Sequence, residues 1–143
     1  EAPLTFYEES DAFKLFLLDC GLLGAMNMTD ATEAMLTDNI FEEYNGALTE
    51  QLVLQELKCV PNLPVYYYTK QNSQQEIDFL IDIKNRAIPI EAKAGENLQA
   101  KSLKQFILEN KSEKAIKTSL KQYKSNEIID NVPIYALYCY LQE

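Results

Sequence analysis

The sequence has no histidine and no tryptophan, only four glycines, and three cysteines among 143 residues. Without histidine, any mechanism that uses imidazole is excluded, and a zinc site loses its commonest ligand. Cys20, Cys59 and Cys139 are odd in number and form no CxxC pair. They are expected to be buried free thiols in a reducing cytoplasm. No GxxxxGK[ST] loop occurs, so the chain does not bind nucleotide by that route. No apolar run approaches the roughly 20 residues of a membrane span, and no basic start followed by an apolar stretch marks a signal peptide. Residue 1 is Glu and not Met, so a piece of a longer chain is expected.

What is present fits one domain over residues 1–143, long enough to bury a core, with an apolar fraction of 47%. The net charge of −9 works against broad phosphate binding. That charge is uneven, however. Positions 93 to 124 hold eight lysines against three acids, while the acids concentrate before Lys58. Two meanings stand open for the lysines: a solvated helix face, or a surface that meets a nucleic-acid backbone.

FKLFLLD (13–19) reads as a short buried strand, and GLLGAM as the start of a helix. The stripe Leu17, Leu18, Leu22, Leu23 and Met26 reads as core, or as an interface with an upstream domain that could drive a homo-oligomer if left bare. Asp30 can cap a helix over ATEAMLTDNIF. A longer helix follows over GALTEQLVLQELKCV (46–60), with Leu48, Leu52, Val53 and Leu57 near a helical period. Pro61 and Pro64 end it. VYYYTK, EIDFLIDI and IPIEAKA then read as three strands joined by short turns, an antiparallel meander. Strand alternation among Tyr66, Tyr67 and Tyr68 argues for sheet packing over a base-stacking platform. LQAKSLKQFILEN is a helix with Leu98, Leu103, Phe106 and Ile107 inward. KAIKTSL is a strand, and NVPIYALYCYL a final helix with Asn131 as its cap. The expected class is α/β, a mixed sheet flanked by helices.

Side-chain parity singles out three residues. Alternation puts Asp78, Leu80 and Asp82 on one face and Ile77, Phe79 and Ile81 on the other. In the next strand Glu91 and Lys93 share a face, their Cα atoms about 6.6 Å apart. If Asp78 neighbours Glu91, two carboxylates and one ammonium converge. Carboxylates that close repel unless a cation sits between them, and oxygen ligands suit Mg²⁺ or Mn²⁺. Such a site suits phosphodiester hydrolysis, with Lys93 stabilising charge on the phosphate. The spacing alone equally fits a polar face with a cross-strand salt bridge worth a few tenths of a kcal/mol.

EIDFLI and IPIEAKAG, preceded by GALTEQLVLQEL, resemble the PD-(D/E)XK nuclease superfamily. More closely, nearly the whole chain resembles the uncharacterised C-terminal domain carried by many prokaryotic AAA-type ATPases, behind a P-loop motor and a winged-helix segment. The resemblance implies a restriction-endonuclease-like fold, and partners in the same chain: the upstream ATPase and winged-helix domains. It implies a metal site of Asp78, Glu91 and the Ala92 carbonyl, assisted by Glu50 on the first core helix, with Lys93 as the catalytic lysine. Glu56 lies about 240° round the helix from Glu50 and serves another face. Lys104 or Gln105 on the following helix would support the site. The residue before Asp78 is Ile77 where the superfamily name has Pro, which leaves the metal-binding Asp in place. The implied activity is metal-dependent hydrolysis of DNA in the cytoplasm. A catalytically silent recognition or regulatory module of the ATPase is the alternative.

Overall fold

A computed structural model describes residues 3–26, 41–70, 75–94 and 100–142, with the backbone alone at 41–44. After a 3₁₀ turn at Leu4–Tyr7 come α1 (Cys20–Met26), α2 (Phe41–Cys59), β1 (Val65–Thr69), β2 (Glu76–Ile83) and β3 (Arg86–Ala92). Then follow α3 (Lys101–Asn110), β4 (Ala115–Ser119), β5 (Lys124–Ser125), β6 (Ile129–Pro133), a 3₁₀ turn at Ile134–Ala136 and α4 (Leu137–Leu141). The six strands form one sheet in the order β1-β2-β3-β4-β6-β5. β1, β2 and β3 pair antiparallel, β3–β4 and β4–β6 parallel, and β5–β6 antiparallel. The mixed α/β class read from the sequence is therefore correct.

The β2–β3 hairpin closes on Lys84 and Asn85, both with positive φ (53° and 62°). That is the backbone twist a two-residue hairpin loop needs. Beyond β3 the chain crosses through α3 to reach β4, as a parallel neighbour demands.

Each face of the sheet carries its own core. Phe79, Ile81, Ile90, Ile116 and Val132 pack under Val53 and Leu57 of α2 and Leu137 of α4. On the other face, Ile77, Leu80 and Ala115 pack under Leu103, Phe106 and Ile107 of α3. Tyr68 meets Phe106 edge to face at 5.1 Å, so this tyrosine is packing, as strand alternation implied.

Several expectations need correction. Residues 13–19 form no strand and join no ladder. Their anchor is Gln51, 2% exposed, whose amide accepts from the Leu17 N–H at 3.0 Å and donates to the Leu17 carbonyl at 2.9 Å. One side chain thus does for Leu17 what a neighbouring strand would do. Gln51 takes the inward position on α2, and Leu52, expected inward, is 38% exposed. Of the apolar stripe, Leu18 ahead of α1 and Leu22 and Met26 on it are exposed and so not core, while Leu17 and Leu23 are half-buried. Asp19 caps α1 by accepting from the Leu22 N–H at 2.7 Å. Asn131 caps no helix. It sits inside β6, buried, because residues 129–133 pair with β4, and the terminal helix is only α4. The three thiols are free, but Cys59 and Cys139 are exposed rather than buried. Asp30, the helix expected over 31–41 apart from its last residue Phe41, and Leu98 lie outside the described residues. Among the described residues no helix is long and apolar enough to cross a membrane.

Candidate active site

Asp78, Glu91 and Lys93 do converge, by a route that simple alternation misses. Between β1 and β2 the register steps from Tyr66↔Leu80 to Tyr68↔Ile77, so β2 spends one extra residue at a bulge. The bulge puts Ile77 in the same core as Leu80, against the parity expected, and frees Asp78 from the pleat. On the other side of β2, the ladder to β3 ends at Phe79↔Ile90. One step further, the Asp78 carboxylate accepts from the Ala92 N–H at 2.7 Å. A side chain thus spans the fork where the two strands part.

β3 is held on its other edge as well. Glu91 pairs in register with Lys117 of β4, and the Lys93 N–H donates to the Thr118 carbonyl at 2.9 Å. These bonds fix the backbone of both residues. Glu91 is 6% exposed, so the trio does not lie on an open face. Lys93 Nζ sits 2.6 Å from Glu91 Oε1, and Glu91 Oε2 is buried with no hydrogen-bond partner.

Glu50 on α2 completes the acids, and a residue with no motif signal holds it. Lys14 of the N-terminal segment lies 2.5 Å from Glu76 and 3.6 Å from Glu50, with its ammonium 5.5 Å from the centre of the Tyr67 ring. No local pattern in the sequence ties Lys14 or Glu76 to the fork. The supporting residues expected on the following helix divide. Gln105 is exposed and donates to Glu109 on its own helix at 3.0 Å, so it takes no part. Lys104 is exposed and close enough to Lys117 to oppose its charge.

The electrostatics are those of crowded acids short of positive charge. Burial raises the Asp78 carboxyl, against the Ala92 hydrogen bond and the charges of Lys14 and Lys93. Burial likewise raises Glu91, with Lys93 opposing and Asp78 adding repulsion. Burial raises Glu50, and the charge of Asp78 adds to it. Burial alone would lower Lys14, but its bond to Glu76 and the charges of Glu50, Glu76 and Asp78 raise it. Each acid thus holds its proton longer than usual, and bringing all three to the ionised state calls for added positive charge.

The residues fit a hard divalent ion of the Mg²⁺ kind, though not a closed cage. Among the described residues no group of three Asp, Glu, Cys or His side chains is gathered closely enough to hold a metal ion alone. Asp78 and Glu91, the latter with an unpartnered buried oxygen, make an open pair. Mg²⁺ is commonly held by one or two carboxylates, with water and substrate oxygens completing the shell. In an extended strand the carbonyl of a residue opens to the same side as its N–H, so the Ala92 carbonyl faces the β2 side of the fork with its N–H. Hollows flank the fold among the described residues. One, of about 230 Å³, touches this region through Lys14 and Glu50. A larger one, of about 1190 Å³, lies by the β2–β3 turn and α3 and includes none of these acids.

A six-stranded mixed sheet between helices, with acids gathered where two strands fork, defines an α/β domain. The chain belongs to a family described only as a domain of unknown function (DUF4143), whose model matches residues 45–137. Glu50, Asp78, Glu91, Ala92 and Lys93 all lie within the matched stretch, and Lys14 lies outside it. No curated protein and no solved structure matches the chain.

Proposed function

We propose that this chain is a metal-dependent nuclease domain of the PD-(D/E)XK type, with a restriction-endonuclease-like fold, working beside an AAA-type ATPase and hydrolysing phosphodiester bonds of DNA. The observation that carries it is Glu91: a buried carboxylate with one oxygen on Lys93, the other unpartnered, and Asp78 beside it at the fork. An isolated buried carboxylate oxygen is costly unless a cation or donor meets it. Asp78, Glu91 and the Ala92 carbonyl would hold Mg²⁺ or Mn²⁺. Such an ion supplies a Lewis acid and an activated water. Lys93 orients Glu91 at rest and offers its ammonium to the charge that develops on the phosphate. Glu50, held by Lys14, adds negative potential beside Asp78 without serving as its hydrogen-bond partner.

One observation favours a second reading, a catalytically silent recognition or regulatory module of the ATPase. Lys14 and Lys93 already neutralise part of the acid cluster, so the fold keeps its acids without a metal.

Incubation with linear and branched DNA and RNA in Mg²⁺ or Mn²⁺, alone and with the ATPase, separates the two. A nuclease cuts, and Lys93→Ala slows it by roughly 10²–10³ while metal binding survives. A wild type that cuts nothing in either metal, with or without the ATPase, establishes the module reading.

A further inference from the structure

A single row of side chains crosses the sheet from the acid site to the far edge. The ladder sets Glu91 beside Lys117, Lys117 beside Asn131, and Asn131 beside Lys124. Residues directly opposite each other project from one face. That face is the one under α3, because Ala115 and Ile129, in step with Lys117 and Asn131, pack there. With strands about 4.8 Å apart, the row spans about 14 Å.

The outer end of the row is built, not frayed. Asn131 donates to the Gln122 carbonyl at 2.9 Å and accepts from Ser119 Oγ at 3.0 Å. Ser119 Oγ in turn accepts from the Lys121 N–H at 3.2 Å. The turn KQYK is thereby pinned to the sheet. It presents Lys121 and Lys124 exposed on either side of Tyr123, itself 55% exposed and backed by the Tyr140 ring at 6.3 Å. Among the described residues Lys104, Lys117, Lys121 and Lys124 make no ion pair. Burial, and then the charges of Lys104, Lys121 and Lys124, hold Lys117 below the ordinary lysine range. The fold thus gathers like charges on one path and leaves them uncompensated, in a chain whose net charge is −9.

We propose that the surface along this row, with the buried Glu91 and Asn131 as its floor, is a path for single-stranded nucleic acid, along which the half-buried Lys117 and the exposed Lys121 and Lys124 neutralise phosphates and Tyr123 stacks an unpaired base. Ammonium groups in a line match a phosphate backbone, and a rigid exposed ring among them is the usual platform for a free base. A duplex keeps its bases stacked inside, so it gains nothing from Tyr123. The path begins at Glu91 and Lys93, so a strand lying on it places a phosphate at the candidate site. It rests on the nuclease reading only for that delivery, because binding is measured without cutting.

The test is fluorescence anisotropy in EDTA at a series of salt concentrations. The probes are a labelled single strand of about 15 nucleotides, its duplex, and a polyglutamate peptide. The single strand is expected to bind most tightly. Lys121→Gln with Lys124→Gln weakens it at least about tenfold and flattens the log–log salt slope by about 0.7 per lost contact. Tyr123→Ala weakens the single strand roughly tenfold, within the range of one lost base stack, and leaves duplex binding unchanged. These side chains are exposed, and melting curves confirm that each variant folds. Three results overturn the path: duplex bound as tightly as single strand, polyglutamate bound in its place, or affinity indifferent to these changes. Single-strand binding with no cleavage in any metal overturns the nuclease reading alone. Cleavage indifferent to Lys121, Lys124 and Tyr123 overturns the path alone.

Discussion

Asp78 shows how one buried carboxyl couples stability to pH. Burial raises it above its ordinary value of 3.8, so the folded chain keeps a proton that the unfolded chain has released. The stabilisation this gives is complete below 3.8 and is lost as pH rises through the folded value. At pH 7 the ionised group therefore opposes folding, with Glu76 adding repulsion. Asp78→Asn keeps an oxygen for the Ala92 N–H and removes the charge. We expect a higher urea midpoint than wild type at pH 7, with the gap closing as pH falls towards 4; a lower midpoint at pH 7 would contradict this account. The acids at this site were legible as residue types at telling spacings. Lys14 was not, because it lies 64 residues before Asp78 and meets the site only through the path of an unpaired segment.

At the scale of elements, Gln51 joins two pieces of chain that share no ladder. Gln51→Ala leaves the Leu17 N–H and carbonyl without their partner, a loss worth about 1–3 kcal/mol where water does not replace it. Faster amide exchange at Leu17 and easier proteolysis across residues 13–19 are expected, with β2–β3 exchange unchanged. Lys111 ends α3 in the left-handed region, at φ 51°, where an L side chain is strained. Lys111→Gly is expected to raise stability by about 1 kcal/mol, read as a shift in urea midpoint at constant slope.

For the whole molecule, charge segregation is the feature with most consequence. The acids of the fork face lysines on two sides, Lys14 from the N-terminal segment and Lys93 from β3, and these neutralise them only in part. An ion that binds the folded state alone stabilises it by mass action, about 2.7 kcal/mol at a hundred times its Kd. Saturating Mn²⁺ is therefore expected to raise the Tm by several degrees, and Glu91→Ala to remove that rise. An unmoved melting curve would assign Glu91 and Lys93 to a plain salt bridge.

By itself the sequence determined the class of fold, the three-strand meander, a helix ending at Asn110, read from Leu98 and described from Lys101, and the identities of Asp78, Glu91 and Lys93 as a group. These depend on local periodicity and short turns, which a linear reading captures. Tertiary pairing decided the rest. Residues 131–133 are strand rather than helix because β4 offers them a parallel partner, and a short apolar run fits either state until that partner is known. Asp78 leaves the pleat because β2 carries a bulge opposite β1, and a one-residue step is invisible without the neighbour's register. The lysines between positions 93 and 124 were visible as a skew of charge. That Lys117 and Lys124 stand in one line with Glu91 follows only from three ladders meeting in register, a fact of pairing and not of spacing along the chain.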